Sequence, residues 1–261
     1  MSNIVANMPE EKFLSNYYEH NYNLRYFEMN NNGVASPITI LTLLEETAAE
    51  HCRSIGYDLY SLEKQNIGWI LISGVIEMIR YPRYKENITI RTWMSKISLV
   101  RGYRENYIFD GEKNIIGKAR GIWVFYDIQK RRPVPIFEDI KESWGGRHEI
   151  SAEENYDILD KIYDSSLEID FNIYRSDVDN YKHLNNIRYF DFLLESLPEK
   201  IADNYSLKTI NAKFIAEAIY GERIQVCITG DLGNSEFMHT IKSHTDGKIL
   251  AKAHTQWEVS K

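Results

Sequence analysis

The chain repeats itself, and this limits its architecture more than any other feature. The stretch Gly33 to Glu45 (GVASPITILTLLE) resembles His183 to Glu195 (HLNNIRYFDFLLE). At an offset of 150 residues, Leu43, Leu44 and Glu45 fall on Leu193, Leu194 and Glu195. A polar segment precedes each stretch, MNNN in one and DVDNYK in the other. Apolar residues then recur at helical spacing, marked in the second stretch by Ile187, Phe190, Leu193 and Leu194. Downstream, Val75 to Met94 and Ile210 to Thr229 both alternate like strands joined by a charged turn. Ile115 to Trp123 (IIGKARGIW) then matches Ile249 to Trp257 (ILAKAHTQW), with Ile, Lys, Ala and Trp at one offset. Each half therefore reads strand, polar loop, long helix, several strands. The expected class is α+β, with one helix wrapped by an antiparallel sheet, twice in tandem.

The expected division is an N-terminal domain over 1–140, a crossover over 141–168 and a C-terminal domain over 169–261. The stretch from Pro133 to Glu168 is acidic and irregular, with Gly145-Gly146, and a short helix is expected near Asn155 to Asp164. The first twenty residues are polar and are expected to form a short helix or to fray.

Composition narrows the function. Aromatics make up 13% of the chain, with eighteen tyrosines, which favours strands. The net charge of −7 does not suit a general nucleic-acid binder. That charge is uneven: Leu71 to Arg132 holds thirteen Lys/Arg against six Asp/Glu. Such a basic stretch fits an acidic partner or a set of solvated strand faces. Cys52 and Cys227 stand apart without metal-ligand spacing and are expected to be small buried thiols. His239, His244 and His254 lack zinc-like spacing, and no nucleotide-binding glycine motif occurs, so neither metal nor cofactor is expected. No run of eighteen apolar residues exists, so no membrane span is expected. The start, MSNIVANMPEEKF, has no secretory pattern, and a cytoplasmic location is expected.

The segment RSDVDNYKHLNNIRYFDFLLES, Arg175 to Ser196, resembles the signature D-x-D-x-N-x-H-x-N-N of plant and bacterial acyl-ACP thioesterases. Asp177, Asp179, His183, Asn185 and Asn186 match that form. Gly68-Trp69, Arg80-Tyr81-Pro82, Thr92-Trp93, Trp123 and Arg131-Arg132-Pro133 resemble the family's first domain. Phe214 to Glu217 resembles the segment that carries its catalytic carboxylate. The resemblance implies two fused hotdog domains that hydrolyse fatty acyl thioesters of acyl carrier protein. It implies a site in the second half and an acyl-chain lining in the first, around Ile38 to Leu44 and Trp69 to Ile76. Two positions depart from the pattern. Tyr181 stands where the family has Asn, with Asn180 one place earlier, and Ala218 stands where a Cys follows the carboxylate.

The residue types suit the chemistry. The loop from Asp177 to His183 leads into a helix N-terminus, whose N–H groups and dipole favour a developing oxyanion. His183 can orient water or move a proton near neutrality. Asp179 can hold the histidine or the attacking water, while Asp177 reads as structural and Asn185 as support for the loop. Glu217 sits in the apolar run Phe214 to Ile219, and a carboxylate enclosed in this way is expected to bind its proton tightly and serve as general base. At the offset of 150, the first half has Gly33 opposite His183 and Met29 opposite Asp179, so only the second half carries a candidate site.

The candidate catalytic set is thus Asp179, Asn180, Tyr181, His183 and Glu217. Trp69, Arg80, Arg83, Arg131 and Arg132 are expected to bind the substrate and its acidic carrier protein. A fused pair supplies its own dimer contact, so a monomer or a homodimer is expected. Three other readings stay open at this point: an acyl-CoA thioesterase, a double hotdog that binds acyl thioesters without turnover, and a hydratase on the same fold.

Overall fold

The computed structural model describes residues 17–145, 147–160, 166–231, 233 and 235–260. Of the twenty opening residues expected to form a helix or to fray, the first sixteen lie outside them and Tyr18 to His20 are strand; Gly146 and the tail of the helix expected to reach Asp164 also lie outside. In the described part of that last segment the chain forms a short 3-10 turn, Asp157–Asp160.

The first half opens with strand β1 (Tyr18–Asn23), then helix α1 (Pro37–Ser54), a short helix α2 (Leu59–Glu63) and strands β2 (Ile67–Met78), β3 (Asn87–Ile97), β4 (Arg101–Phe109) and β5 (Ile115–Asp127). A two-residue strand β6 (Arg132–Pro133) and helix α3 (Glu138–Trp144) follow. The second half runs β7 (Ser166–Asn172), α4 (Asn186–Glu195), α5 (Glu199–Asn204), β8 (Tyr205–Phe214), β9 (Arg223–Asp231), β10 (Glu236–Ser243) and β11 (Ile249–Val259).

All strands join one antiparallel sheet in the order β1-β3-β4-β5-β2-β8-β11-β10-β9-β7, with β6 paired to β5. The first five strands and the last five have the same internal order, read outward from the centre. The halves meet where β2 pairs β8, with Ile76 opposite Ile210. This pairing gives each half's central strand a neighbour and removes two edges that would otherwise be open.

Both central helices start in the same way. Ser36 caps α1 by accepting from Thr39 N at 3.0 Å, and Pro37 takes the first position. Asn185 caps α4 by accepting from Ile187 N at 2.8 Å. Ile40, Leu43, Leu44, Thr47 and Ala48 bury one face of α1, the period a helix packed on a sheet requires. Tyr189, Phe190, Phe192, Leu193 and Leu197 do the same on the second helix and the turn after it. That helix is shorter because Pro198 disfavours helical backbone at Leu197. The first half has no such proline, and α1 runs on to Ser54.

Hydrogen bonds fix the true register of the repeat at 149 residues, one less than the Leu-Leu-Glu match gives. Asn30 N donates to Val34 O at 2.8 Å, as Asp179 N does to His183 O at 2.9 Å. Gly33 N bonds Asn30 O and Lys182 N bonds Asp179 O, each at 3.0 Å. Gly33 and Lys182 both take positive φ, 73° and 64°. Thr47 Oγ1 bonds Leu43 O, and Ser196 Oγ bonds Phe192 O, at the same spacing. The counterpart of Asp179 is therefore Asn30, not Met29. That of His183 is Val34, and that of Glu45 is Leu194.

Candidate active site

The loop before α4 is held by Asp179. Its Oδ1 accepts from Tyr181 N at 2.9 Å and His183 N at 3.2 Å. Asn30 Oδ1 accepts from Asn32 N and Val34 N in the same pattern, so a neutral amide builds this loop as well as a carboxylate. Burial pushes the Asp179 carboxyl above the usual carboxylate range. Asp177 is 2% exposed, and its carboxylate accepts from Arg188 Nε and Nη2 at 3.0 and 2.8 Å. It ties the loop to α4 and does not reach the cavity.

His183 is brought to Glu217 by a bridge between its backbone and Ile219. His183 Nε2 lies 3.5 Å from Glu217 Oε2, and Arg131 Nη2 donates to the same oxygen at 2.5 Å. The expected apolar enclosure of Glu217 is not found. Strand β8 ends at Phe214, so Glu217 lies beyond the alternating pattern. Ile215 and Ile219 are 49% and 48% exposed, and Glu217 is 31% exposed and ion-paired. A half-open carboxylate bonded to a guanidinium suits the anchoring of His183 better than the role of general base.

Two cavities meet at this loop. Asp179, Tyr181, Asn186 and Trp69 line both. One opens past His183, Glu217, Tyr126 and Pro133. The other runs inward to Glu45, Ala48, Met94, Arg104 and Trp123. Behind it lies an apolar chamber lined by Leu44, Leu71 and Ile76 from the first half and Phe190, Ile210 and Phe214 from the second. The first-half segments expected to line an acyl chain thus share this chamber with side chains of the second half.

Tyr181 stands between the cavities, and burial pushes its hydroxyl up to about 12, so it remains a donor at neutral pH. It is admitted by a glycine: a Cβ on Gly68 would lie 2.8 Å from Tyr181 Oη and 3.1 Å from its Cζ. Gly68→Ala is thus expected to destabilise the protein by about 1–3 kcal/mol, read by thermal denaturation. Tyr181→Phe in the same chain removes the nearest clashing atom and is expected to restore part of that loss. Asn180 does not take the place of the family's Asn. Its Nδ2 donates to Glu63 Oε2, on α2, at 3.0 Å.

The basic residues separate into two groups. Arg131 pairs with Glu217 at the rim, and both it and its neighbour Arg132 are exposed. Arg80 and Arg83 line a different cavity, beside the first-half loop with Gly33 and Val34. Arg80 is moreover paired with Glu86 at 2.6 Å and Asp110 at 2.8 Å. Glu19 and Glu217, acids from outside the basic stretch, pair with Arg91 and Arg131 and cancel part of the excess read from the sequence. Glu45, an acid inside an amphipathic helix, reads from the sequence as solvent-facing, yet it lines the inner cavity.

Comparison with known proteins identifies the family and the fold. The model of the acyl-ACP thioesterase N-terminal domain matches residues 15–144, and that of the C-terminal domain matches residues 160–259. The chain is 23% identical over 280 residues to oleoyl-acyl carrier protein thioesterase 2, chloroplastic, of Arabidopsis thaliana, covering 92% of this chain and 76% of that one. It is 24% identical over 267 residues to a palmitoyl-acyl carrier protein thioesterase of Gossypium hirsutum, covering 92% of this chain and 63% of that one. Among solved structures, an acyl-ACP thioesterase from Bacteroides thetaiotaomicron VPI-5482 superposes with a TM-score of 0.80 at 19% identity, over 96% of this chain and 100% of that one. The 12:0-ACP thioesterase from Umbellularia californica gives 0.79 at 15% identity, over 94% and 98%. The two domain models together take in nearly the whole double hotdog, and the chain belongs to the acyl-ACP thioesterase family.

Proposed function

We propose that thioester hydrolysis takes place at the Asp179–His183 loop, with the acyl chain in the chamber between the halves. As a member of its family the protein is a thioester hydrolase that acts on acyl-ACP and releases fatty acid and carrier. One observation carries the placement. Of the two loops of like geometry, only the second bears a carboxylate, a histidine and a half-buried phenol, where the first bears Asn30, Val34 and Asn32.

In this reading Tyr181 and the first turn of α4 face the thioester oxygen and stabilise the oxyanion. Asp179 takes a proton from the attacking water. His183, oriented by Glu217 and Arg131, protonates the departing thiolate. Trp69 forms the wall between entrance and chamber. The chain's own residues supply each step.

The carrier, an acidic protein, meets Arg131 and Arg132 at the rim, where charge acts chiefly on the association rate. A cytoplasmic location fits two free thiols, Cys52 and Cys227. Among the described residues no helix is long and apolar enough to cross a membrane.

The test is hydrolysis of matched acyl-ACP and acyl-CoA over medium and long chains, at rising salt. Acyl-ACP is expected to be turned over faster, with an advantage that shrinks as salt screens the rim. Equal, salt-insensitive rates would make this an acyl-CoA thioesterase. Binding of acyl-ACP without turnover at any length would sink the enzymatic reading.

A further inference from the structure

The first half supplies more than a wall for the acyl chain. Glu45, on α1, lines the inner cavity together with Asp179, Tyr181 and Asn186, and it also borders the apolar chamber. Its side chain is half-buried, and neither a hydrogen bond nor an ion pair joins it to any described residue. Burial and the neighbouring charge of Asp179 push its carboxyl up to about 7.

The repeat provides an internal control. The counterpart of Glu45 is Leu194, which lines the counterpart cavity with Asn30, Tyr81 and Leu197. Where the loop carries an amide, the opposing helix carries leucine at the matching position, with Glu195, one residue on, at the same cavity. Where the loop carries a carboxylate, the helix carries a second one. Leucine at this position meets the needs of packing, and an unpaired carboxyl in such a place is costly. The same cavity holds a buried guanidinium. Arg104 is 5% exposed, uses Nη1 for His51 and Thr92, and lies over the ring of Trp144. This inner cavity is built to hold polar matter next to an alkyl chamber.

We propose that Glu45, from the first half, is a positioning residue for the lytic water, which it holds in its neutral acid form while Asp179 deprotonates it. This rests on the reading of Asp179 as the base. One water hydrogen passes to Asp179 as the water oxygen bonds to the thioester carbon. The other stays bonded to the water and donates to the carbonyl oxygen of the Glu45 acid. The C–S bond then breaks, the thiolate takes a proton from His183, and His183 regains it from Asp179. Glu45 keeps its own proton throughout. Once it ionises, two negative charges face one water, and the arrangement fails.

Other charged or titratable groups stand around this pair. They are Tyr181 and His183 from the loop, Glu63 from α2, Arg104 and Arg120 from β4 and β5, and His51 and Cys52 from α1. Burial and Arg104 push His51 down to about 2, and burial raises Cys52, so neither changes charge near neutrality. His183 is retained in every variant below.

The experiment is the pH profile of kcat/KM on acyl-ACP for the wild type, Glu45→Gln and Glu45→Ala, with thermal denaturation of each. The wild type is expected to lose activity above a midpoint of about 7. Glu45→Gln keeps an oxygen acceptor, so it is expected to stay within about threefold on the acid side and to show an alkaline limb displaced from that of the wild type, since His183 must still carry the proton it gives to the thiolate. Glu45→Ala is expected to fall at least about tenfold at every pH while remaining folded. The melting temperatures give a second reading. A glutamate whose folded value is raised stabilises fully below its ordinary 4.5, and that stabilisation is lost as pH rises through about 7. Glu45→Gln should therefore gain on the wild type across that window. Unchanged profiles in both variants, or melting curves that run parallel with pH, would overturn the role of Glu45. A wild type without turnover on any thioester would instead overturn the hydrolytic reading, and would be seen before any variant is compared.

Discussion

Asp179→Asn is expected to keep the fold and to lower kcat for acyl-ACP by about a hundred- to ten-thousandfold, the range for loss of a general base. The protein contains the control for this substitution. Asn30 already holds the same loop with an amide oxygen, bonded to Asn32 N at 2.9 Å and Val34 N at 3.3 Å. An amide at 179 can therefore accept from Tyr181 N and His183 N as the carboxylate does. What it cannot do is take a proton from water. Burial raises the Asp179 carboxyl above its usual range, which brings it nearer the strength a base needs. The measurement is kcat beside melting temperature. A large loss of kcat at unchanged melting temperature assigns the charge to chemistry. An unchanged kcat would leave Asp179 as a loop residue alone.

Tyr181→Phe is expected to reduce kcat by about a hundred- to a thousandfold, the effect of removing one oxyanion donor. The phenol occupies the position of the family's Asn, and burial holds it protonated. It also fits a space that only glycine leaves at position 68. That fit argues for a residue built into the site and against one that blocks it. The opposite view, a retired site plugged by a tyrosine, predicts that Tyr181→Asn gains activity. The placement of Tyr181 between entrance and inner cavity predicts that both Tyr181→Phe and Tyr181→Asn lose it, with Asn retaining more. Steady-state kinetics on one acyl-ACP decides between the two.

Much of this was legible in the chain. Duplication, the two helices and the antiparallel strands follow from apolar period and from the IIGKARGIW and ILAKAHTQW match. The hotdog fold came with the resemblance and agrees with solved relatives. The register did not come out right, because Leu-Leu-Glu pairs satisfy a helical stripe one residue out of step. Only the loop hydrogen bonds distinguish 149 from 150. The environment of Glu217 was misread for a related reason: alternation holds within a strand, and β8 ends three residues earlier. The basic residues looked like one surface because they are close in sequence, yet the sheet sends Arg80 and Arg131 to different cavities. Glu45 was hidden, since its meaning depends on which residue of the other half it faces.

The most direct test of the central claim, that one of two like loops does the chemistry, is a matched pair of substitutions assayed on the same acyl-ACP. His183→Ala and Val34→Ala change counterpart positions, each with a backbone bridge to its neighbouring segment that the substitution leaves in place. His183→Ala is expected to lower kcat by about a hundred- to ten-thousandfold, and Val34→Ala by no more than about threefold. Equal losses in the two, or full activity in His183→Ala, would contradict the placement of the site in the second half.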